Sequence, residues 1–278
     1  MINFNGNIQT EESVLTENRA FKYGDAVFET LKIVNGTILF LEDHYFRLMA
    51  SMRIVRMQIP LNFTMEFLQN ETLKLNSVKG LATSVSRARI TVYRDSNGLY
   101  APNENKVAYL IDVVEKGNVE YQLLNTACEV DLFKDHYVTP QLLSTLKTTN
   151  RILNVVASIY AKENELDTCL LLNSNKHVVE AINGNVFLIK GNVIKTPPLA
   201  DGCIKGVLRK QLLLLIPKME GLELQEKSIS PFELQQADEL FYTNVIQGIV
   251  SITKYRKKQF INTMTQTILK ELNKSLLK

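Results

Sequence analysis

The dipeptide Asn35-Gly36 sits between two runs rich in β-forming residues, 26–34 and 37–41. Asn and Gly take positive φ at low cost, so the pair predicts a two-residue hairpin turn. Tight turns force neighbouring strands to run antiparallel, and this constrains the fold more than any other local feature. Asn5-Gly6 is a second such turn, and Asp95-Ser-Asn-Gly98 lies in a polar loop between strands expected at 88–93 and 107–114. Further strands are expected at 127–132, 168–172, 177–180, 185–190, 192–195 and 239–243. Leu41, Tyr45, Leu48, Met49 and Met52 recur at helical spacing and predict a helix over 42–56. Other helices are expected over 63–75 with Asn62 as cap, 149–163, 207–216 before Pro217, and 261–277. Strands and helices mix in both halves, which points to an α+β (mixed α/β) architecture and away from a doubly wound parallel sheet. The polar segment Glu115-Lys-Gly-Asn-Val119 marks the expected boundary between two domains, 1–118 and 119–278, with Lys147 in the second.

Composition narrows the function classes. The chain has 278 residues, 45% of them hydrophobic, enough for two packed cores. Its net charge of +3 and short basic spots such as Arg256-Lys-Lys258 give no footprint for nucleic acid. The longest apolar run, 212–216, is too short to cross a bilayer, and Met1–Gly6 lacks the pattern of a signal peptide. Cys128, Cys169 and Cys203 form no Cys-x-x-Cys pair, and three scattered histidines do not suggest a metal site. A cytoplasmic protein with buried free thiols and no metal is therefore expected.

Three features in chain order carry chemistry. Lys147 lies in the polar stretch Ser144-Thr-Leu-Lys-Thr-Thr-Asn-Arg151. Glu180 closes His177-Val-Val-Glu180. Gly206-Val-Leu-Arg209 opens an apolar helix. An amine, a carboxylate and a helix N-terminus are what a pyridoxal 5'-phosphate (PLP) site needs: a Schiff-base partner, a counter-ion for the pyridine nitrogen and an anion-binding end. Each feature also has an ordinary reading. Most lysines are solvated, Glu180 can simply face water at a strand end, and Gly206 can be a plain helix start. Arg47, in His44-Tyr-Phe-Arg-Leu48, suits a phosphate but equally a solvated helix face. Thr243-Asn244 can donate to the same phosphate or form a turn.

The order and spacing of these residues resemble the class IV aminotransferases, the fold-type IV PLP enzymes, over nearly the whole chain. Phe21-Lys-Tyr-Gly-Asp-Ala-Val-Phe-Glu-Thr30 is similar to the family's N-terminal motif, and His44–Leu48 to its phosphate-binding helix. Asn185-Val-Phe187 and Thr196-Pro-Pro198 match the strand and turn that follow the carboxylate. The resemblance implies a two-domain fold like that of the D-amino-acid and branched-chain aminotransferases. It implies Lys147 as the Schiff-base lysine, Glu180 at the pyridine nitrogen, and Arg47, Val207, Leu208, Thr243 and Asn244 around the phosphate. It also implies a homodimer and a small amino-acid-like substrate.

Within the family, Lys147-Thr-Thr-Asn-Arg151, Leu208 and Thr243-Asn244-Val245 resemble 4-amino-4-deoxychorismate lyase, which releases pyruvate and 4-aminobenzoate in folate synthesis. Transamination of branched-chain or D-amino acids with 2-oxoglutarate is the alternative. A ligand-binding homologue without catalysis and an unrelated interaction module come after these. Ala26 departs from a usual glycine, Phe28 stands where D-amino-acid transaminases carry a substrate-facing tyrosine, and Leu99 stands near a carboxylate-binding arginine of some members. Phe28, Lys22 and Arg94 are therefore the substrate-side candidates.

Overall fold

The computed structural model describes residues 1–9, 18–123 and 126–276. The chain divides into two compact units, 1–119 with 146–150, and 120–145 with 151–278.

The first unit holds β1 (Ile2–Phe4), β2 (Asn7–Gln9), α1 (Arg19–Tyr23), β3 (Ala26–Val34), β4 (Thr37–Ile38), α2 (Leu41–Ile54), α3 (Met65–Val78), β5 (Val85–Arg94) and β6 (Val107–Glu115). They make a six-stranded sheet in the order β2-β1-β6-β5-β3-β4, with every pair antiparallel. The β3–β4 turn uses Asn35 at φ 48° and Gly36 at φ 75°, as the dipeptide requires. Alternation sorts β3 onto two faces. Val27, Leu31 and Ile33 join Leu48, Met52, Leu75, Ile90 and Ile111 in the core under α2 and α3. Phe28, Thr30 and Lys32 point to the other face.

The helix starts differ slightly from expectation. The cap of α3 is Thr64, whose hydroxyl accepts the Phe67 N–H at 3.1 Å, and not Asn62. Thr149 does not begin a helix. Residues 147–149 continue the sheet at the free edge of β3, where Phe28 N–H donates to Lys147 O at 2.8 Å and Thr149 N–H to Ala26 O at 3.0 Å. Those β3 backbone groups need partners because β4 covers only the far end of the strand. Lys147 consequently groups with the first unit, whereas the sequence boundary had placed it in the second.

The second unit holds β7 (Glu129–Val138), α4 (Ile152–Glu163), β8 (Thr168–Asn173), β9 (Val178–Ala181), β10 (Asn185–Lys190), β11 (Val193–Thr196), α5 (Val207–Leu215), β12 (Glu223–Glu226), α6 (Pro231–Gln236), β13 (Glu239–Asn244), β14 (Gly248–Ile252), β15 (Lys254–Tyr255), β16 (Lys258–Gln259) and α7 (Thr263–Leu276). The expected end of the last helix, Leu277, lies outside the described residues. Two five-stranded sheets run β12-β11-β10-β13-β14 and β16-β15-β7-β8-β9. Val130, Leu132, Leu170, Leu172, Val186, Leu188, Leu240 and Ile252 fill the core they share. Helix α4 covers the second sheet through Ala157 and Ala161 against Phe133 and Leu171. Ser230 and Glu233 form a capping box on α6, a helix absent from the sequence reading. Among the described residues, no helix is long and apolar enough to cross a membrane.

Candidate active site

One group of candidate residues lies in the first unit. Lys147 is fixed by its backbone bond to β3, and its Nζ sits 4.5 Å from the centre of the Phe28 ring. The run that follows anchors it. Thr149 Oγ1 and Asn150 Nδ2 both donate to Gly24 O, at 3.0 and 2.9 Å. Gly24 closes α1 at φ 63°, and a Cβ there would collide with the Asn150 amide. Gly24 and Asn150 thus depend on one another, and together they set the height of Lys147 on the sheet edge.

Arg47 stands on α2 and spends its Nε and one terminal nitrogen on the Glu29 carboxylate, at 2.7 and 2.5 Å. His44, one turn earlier, meets the same carboxylate through Nδ1 at 2.7 Å. Glu29 is 2% exposed. Burial pushes its carboxyl up, but the charge and hydrogen bonds of Arg47, and then those of His44, outweigh this and bring it down to about 2. Burial pushes the His44 imidazole down against the pull of Glu29, and the Arg47 and Lys147 charges add to that push. The Nε2 of His44 is buried with no hydrogen-bond partner in this structure.

The two polar substrate candidates fare differently from expectation. Arg94 is 6% exposed and fully engaged in structure, donating to Asp25 Oδ2, Asn105 Oδ1 and the carbonyls of Val55 and Arg56. Lys22 is exposed on α1. Arg89 on β5 also lies against the Phe28 ring, its guanidinium carbon 3.8 Å from the ring centre. Sequence reasoning gave no role to Arg89, Glu29 or His44. A carboxylate inside the apolar run 26–34 was the one available signal, because such a group must find a cation.

The other group lies in the second unit. Glu180, 5% exposed on β9, accepts the Ile204 N–H on Oε2 at 3.0 Å. Two residues later Gly206 begins α5 with no side-chain cap. The first-turn N–H groups of a helix have no acceptor inside it, so Val207 and Leu208 offer donors to an anion. Asn185 Nδ2 donates to Ile204 O at 2.8 Å, and a Cβ on Gly206 would run into its amide. Asn185 in turn pairs with Thr243 across β10 and β13. Glu180, the α5 N-terminus and Thr243-Asn244 are thus gathered around Asn185. Both side chains of the last pair serve the turn after β13. Thr243 Oγ1 donates to Gly248 O at 2.8 Å, and Asn244 Oδ1 accepts the N–H groups of Ile246 and Gln247.

Each unit carries groups whose chemistry fits PLP. The first offers an amine on a fixed backbone, and the second a carboxylate held by a backbone N–H and a helix end that a glycine leaves open. The family model for amino-transferase class IV matches residues 26–255. The chain belongs to this family. Class IV aminotransferases and their relatives use PLP, and this chain is a PLP-dependent lyase or aminotransferase. It is 28% identical over 257 residues to a putative branched-chain-amino-acid aminotransferase of Methanocaldococcus jannaschii, covering 90% of this chain and 85% of that one. It is 27% identical over 264 residues to an aminodeoxychorismate lyase of Bacillus subtilis, covering 94% and 88%. Among solved class IV structures, 4-amino-4-deoxychorismate lyase from Pseudomonas aeruginosa superimposes with a TM-score of 0.84 at 26% identity, covering 99% of each chain.

Proposed function

We propose that the protein is a 4-amino-4-deoxychorismate lyase acting as a homodimer in the cytoplasm, with Lys147 as its catalytic amine. The anchoring of the Lys147-Thr-Thr-Asn-Arg151 run carries this reading. Its Asn150, part of the lyase-like pattern, is the residue that locks against Gly24.

PLP supplies an electron sink next to the substrate's amine-bearing carbon. The protein's residues do the rest. Lys147 would hold the cofactor, and its Nζ would take the proton from the substrate's amine-bearing carbon as general base. It returns a proton to the departing enolpyruvate, which leaves as pyruvate, and the ring becomes 4-aminobenzoate. Glu180 would keep the pyridine nitrogen protonated. Val207 and Leu208 would take the phosphate on backbone N–H groups, and Arg47, Thr243 and Asn244 would be its further donors. Phe28 supplies an apolar wall that keeps water from Nζ.

The test is direct. Purified protein loaded with PLP should show the visible absorbance of the lysine-bound cofactor, and Lys147→Ala should abolish it. Given aminodeoxychorismate, it should release 4-aminobenzoate. Keto-acid exchange from D-alanine or leucine to 2-oxoglutarate, without 4-aminobenzoate from aminodeoxychorismate, would refute the lyase assignment in favour of transamination.

A further inference from the structure

Strand β13 delivers Thr243 and Asn244 to the turn that follows it, and helix α7 helps to hold that strand at both ends. At its start, Glu239 is 3% exposed. Its carboxylate accepts the N–H groups of Met264 and Thr265, at 2.7 and 2.8 Å, and the Thr265 hydroxyl at 2.7 Å. A carboxylate there satisfies donors that the first turn of α7 leaves open. Near the other end of α7, the Asn273 amide meets the backbone of Tyr121 twice. Its Oδ1 accepts the Tyr121 N–H at 3.2 Å, and its Nδ2 donates to the Tyr121 carbonyl at 2.8 Å.

Tyr121 carries this hold to the turn. It is 2% exposed, and its hydroxyl donates to Val245 O at 2.7 Å. Its ring lies against Gly248, where a Cβ would collide with the ring carbons. Gly248 sits at φ 79° and pairs with Asn244 across the turn. Tyr121 therefore meets the turn on both limbs, next to Asn244 in the chain and opposite it in the ladder. A buried hydroxyl costs free energy unless it is bonded, and a phenylalanine would fill the same space without that demand. Burial pushes the phenol up, so it stays protonated and keeps donating at neutral pH.

We propose that Tyr121 is a positioning residue for the cofactor's phosphate. It acts through the turn. The bond to Val245 O and the ring against Gly248 fix the Thr243-Asn244 segment before the anion arrives, and Asn273 fixes Tyr121. Donors already in place bind an anion more tightly than donors that must be ordered on binding. The inference rests on the reading of Thr243 and Asn244 as phosphate donors, and it holds for a lyase or a transaminase alike.

Tyr121→Phe removes the hydroxyl and keeps the ring. Cofactor-free protein is titrated with PLP and with pyridoxal, which lacks the phosphate, and the visible absorbance of the lysine-bound form reports binding. In Tyr121→Phe the affinity for PLP should fall about fivefold, the worth of one hydrogen bond, while that for pyridoxal changes less than about twofold. Asn273→Ala should give the same pattern, and it decides the matter should Tyr121→Phe fail to fold. Equal losses for both aldehydes, as a general loosening of the fold would give, or no loss for PLP, would overturn the proposal. Thr243→Val tests the reading underneath. A preference for PLP that falls in Thr243→Val but survives in Tyr121→Phe overturns the role of Tyr121 alone. A preference untouched in both variants overturns the placement of the phosphate at Thr243-Asn244 as well.

Discussion

Glu29→Gln isolates one buried charge without altering shape. Glu29 receives two hydrogen bonds from Arg47 and one from His44, all between 2.5 and 2.7 Å. Its carboxyl falls from 4.5 to about 2, which at about 1.4 kcal/mol per pH unit corresponds to about 3 kcal/mol of stabilisation. Because the folded value is depressed, this stabilisation is complete above the unfolded value of 4.5 and drains away as pH falls through about 2. A protonated Glu29 resembles Gln. The variant should therefore be about 3 kcal/mol less stable than the parent at pH 7. The gap should be constant from pH 8 to about 5 and should close between 4.5 and 2. Denaturation curves followed by circular dichroism at several pH values measure it. PLP affinity should fall as well, since Arg47 loses the carboxylate that orients it, and dialysis of the loaded protein would report that loss. Equal stability at pH 7, or a gap that does not change with pH, would refute the account of this cluster.

Three further outcomes follow from single contacts. Arg94→Gln strands two backbone carbonyls and part of Asp25, so it should cost about 3–5 kcal/mol in stability while leaving substrate KM unchanged, as calorimetry and initial rates would show. Gly206→Ala should cost about 1–3 kcal/mol and weaken PLP binding, because its methyl group meets the Asn185 amide that braces the α5 N-terminus; cofactor titration against melting temperature separates the two effects. Cys203, whose thiol burial and the Glu180 charge push up to about 12, should resist iodoacetamide at pH 8 in the native protein and react once unfolded, with mass spectrometry as readout.

How much of this was legible in the sequence depends on the range of the interaction involved. The β3–β4 turn was legible because Asn35 and Gly36 carry their own backbone preference. The helix pattern of α2 was legible because Leu48, Met49 and Met52 repeat at its period. The same local logic failed at Thr149. Two threonines before an apolar periodic run read as a helix start, but the free backbone edge of β3, more than a hundred residues earlier, claimed residues 147–149 first. Nothing local could reveal that competition. Arg94 failed in the same way. It has the residue type a substrate clamp needs, and only the fold shows four acceptors converging on it.

The candidate site shows a sharper division. Motif order brought Lys147, Arg47, Glu180, Gly206 and Asn244 to notice, since each is set by a short segment. The residues that give these groups their electrostatic character come from strand alternation instead. On β3, Glu29 turns toward α2 and meets Arg47, while its neighbours Phe28 and Thr30 turn toward Arg89. One strand therefore serves both faces. A shift of register by one residue would send Glu29 to the face of Arg89 and Phe28 to the core. The nine-residue pairing of β3 with β5 prevents that shift, and the Val27–Thr148 bridge fixes Lys147 to the same register. The alignment of Lys147, Glu29 and Arg89 thus follows from a single strand position. Any substitution that loosens the β3 edge, such as replacing Asn150 or Gly24, should disturb all three together.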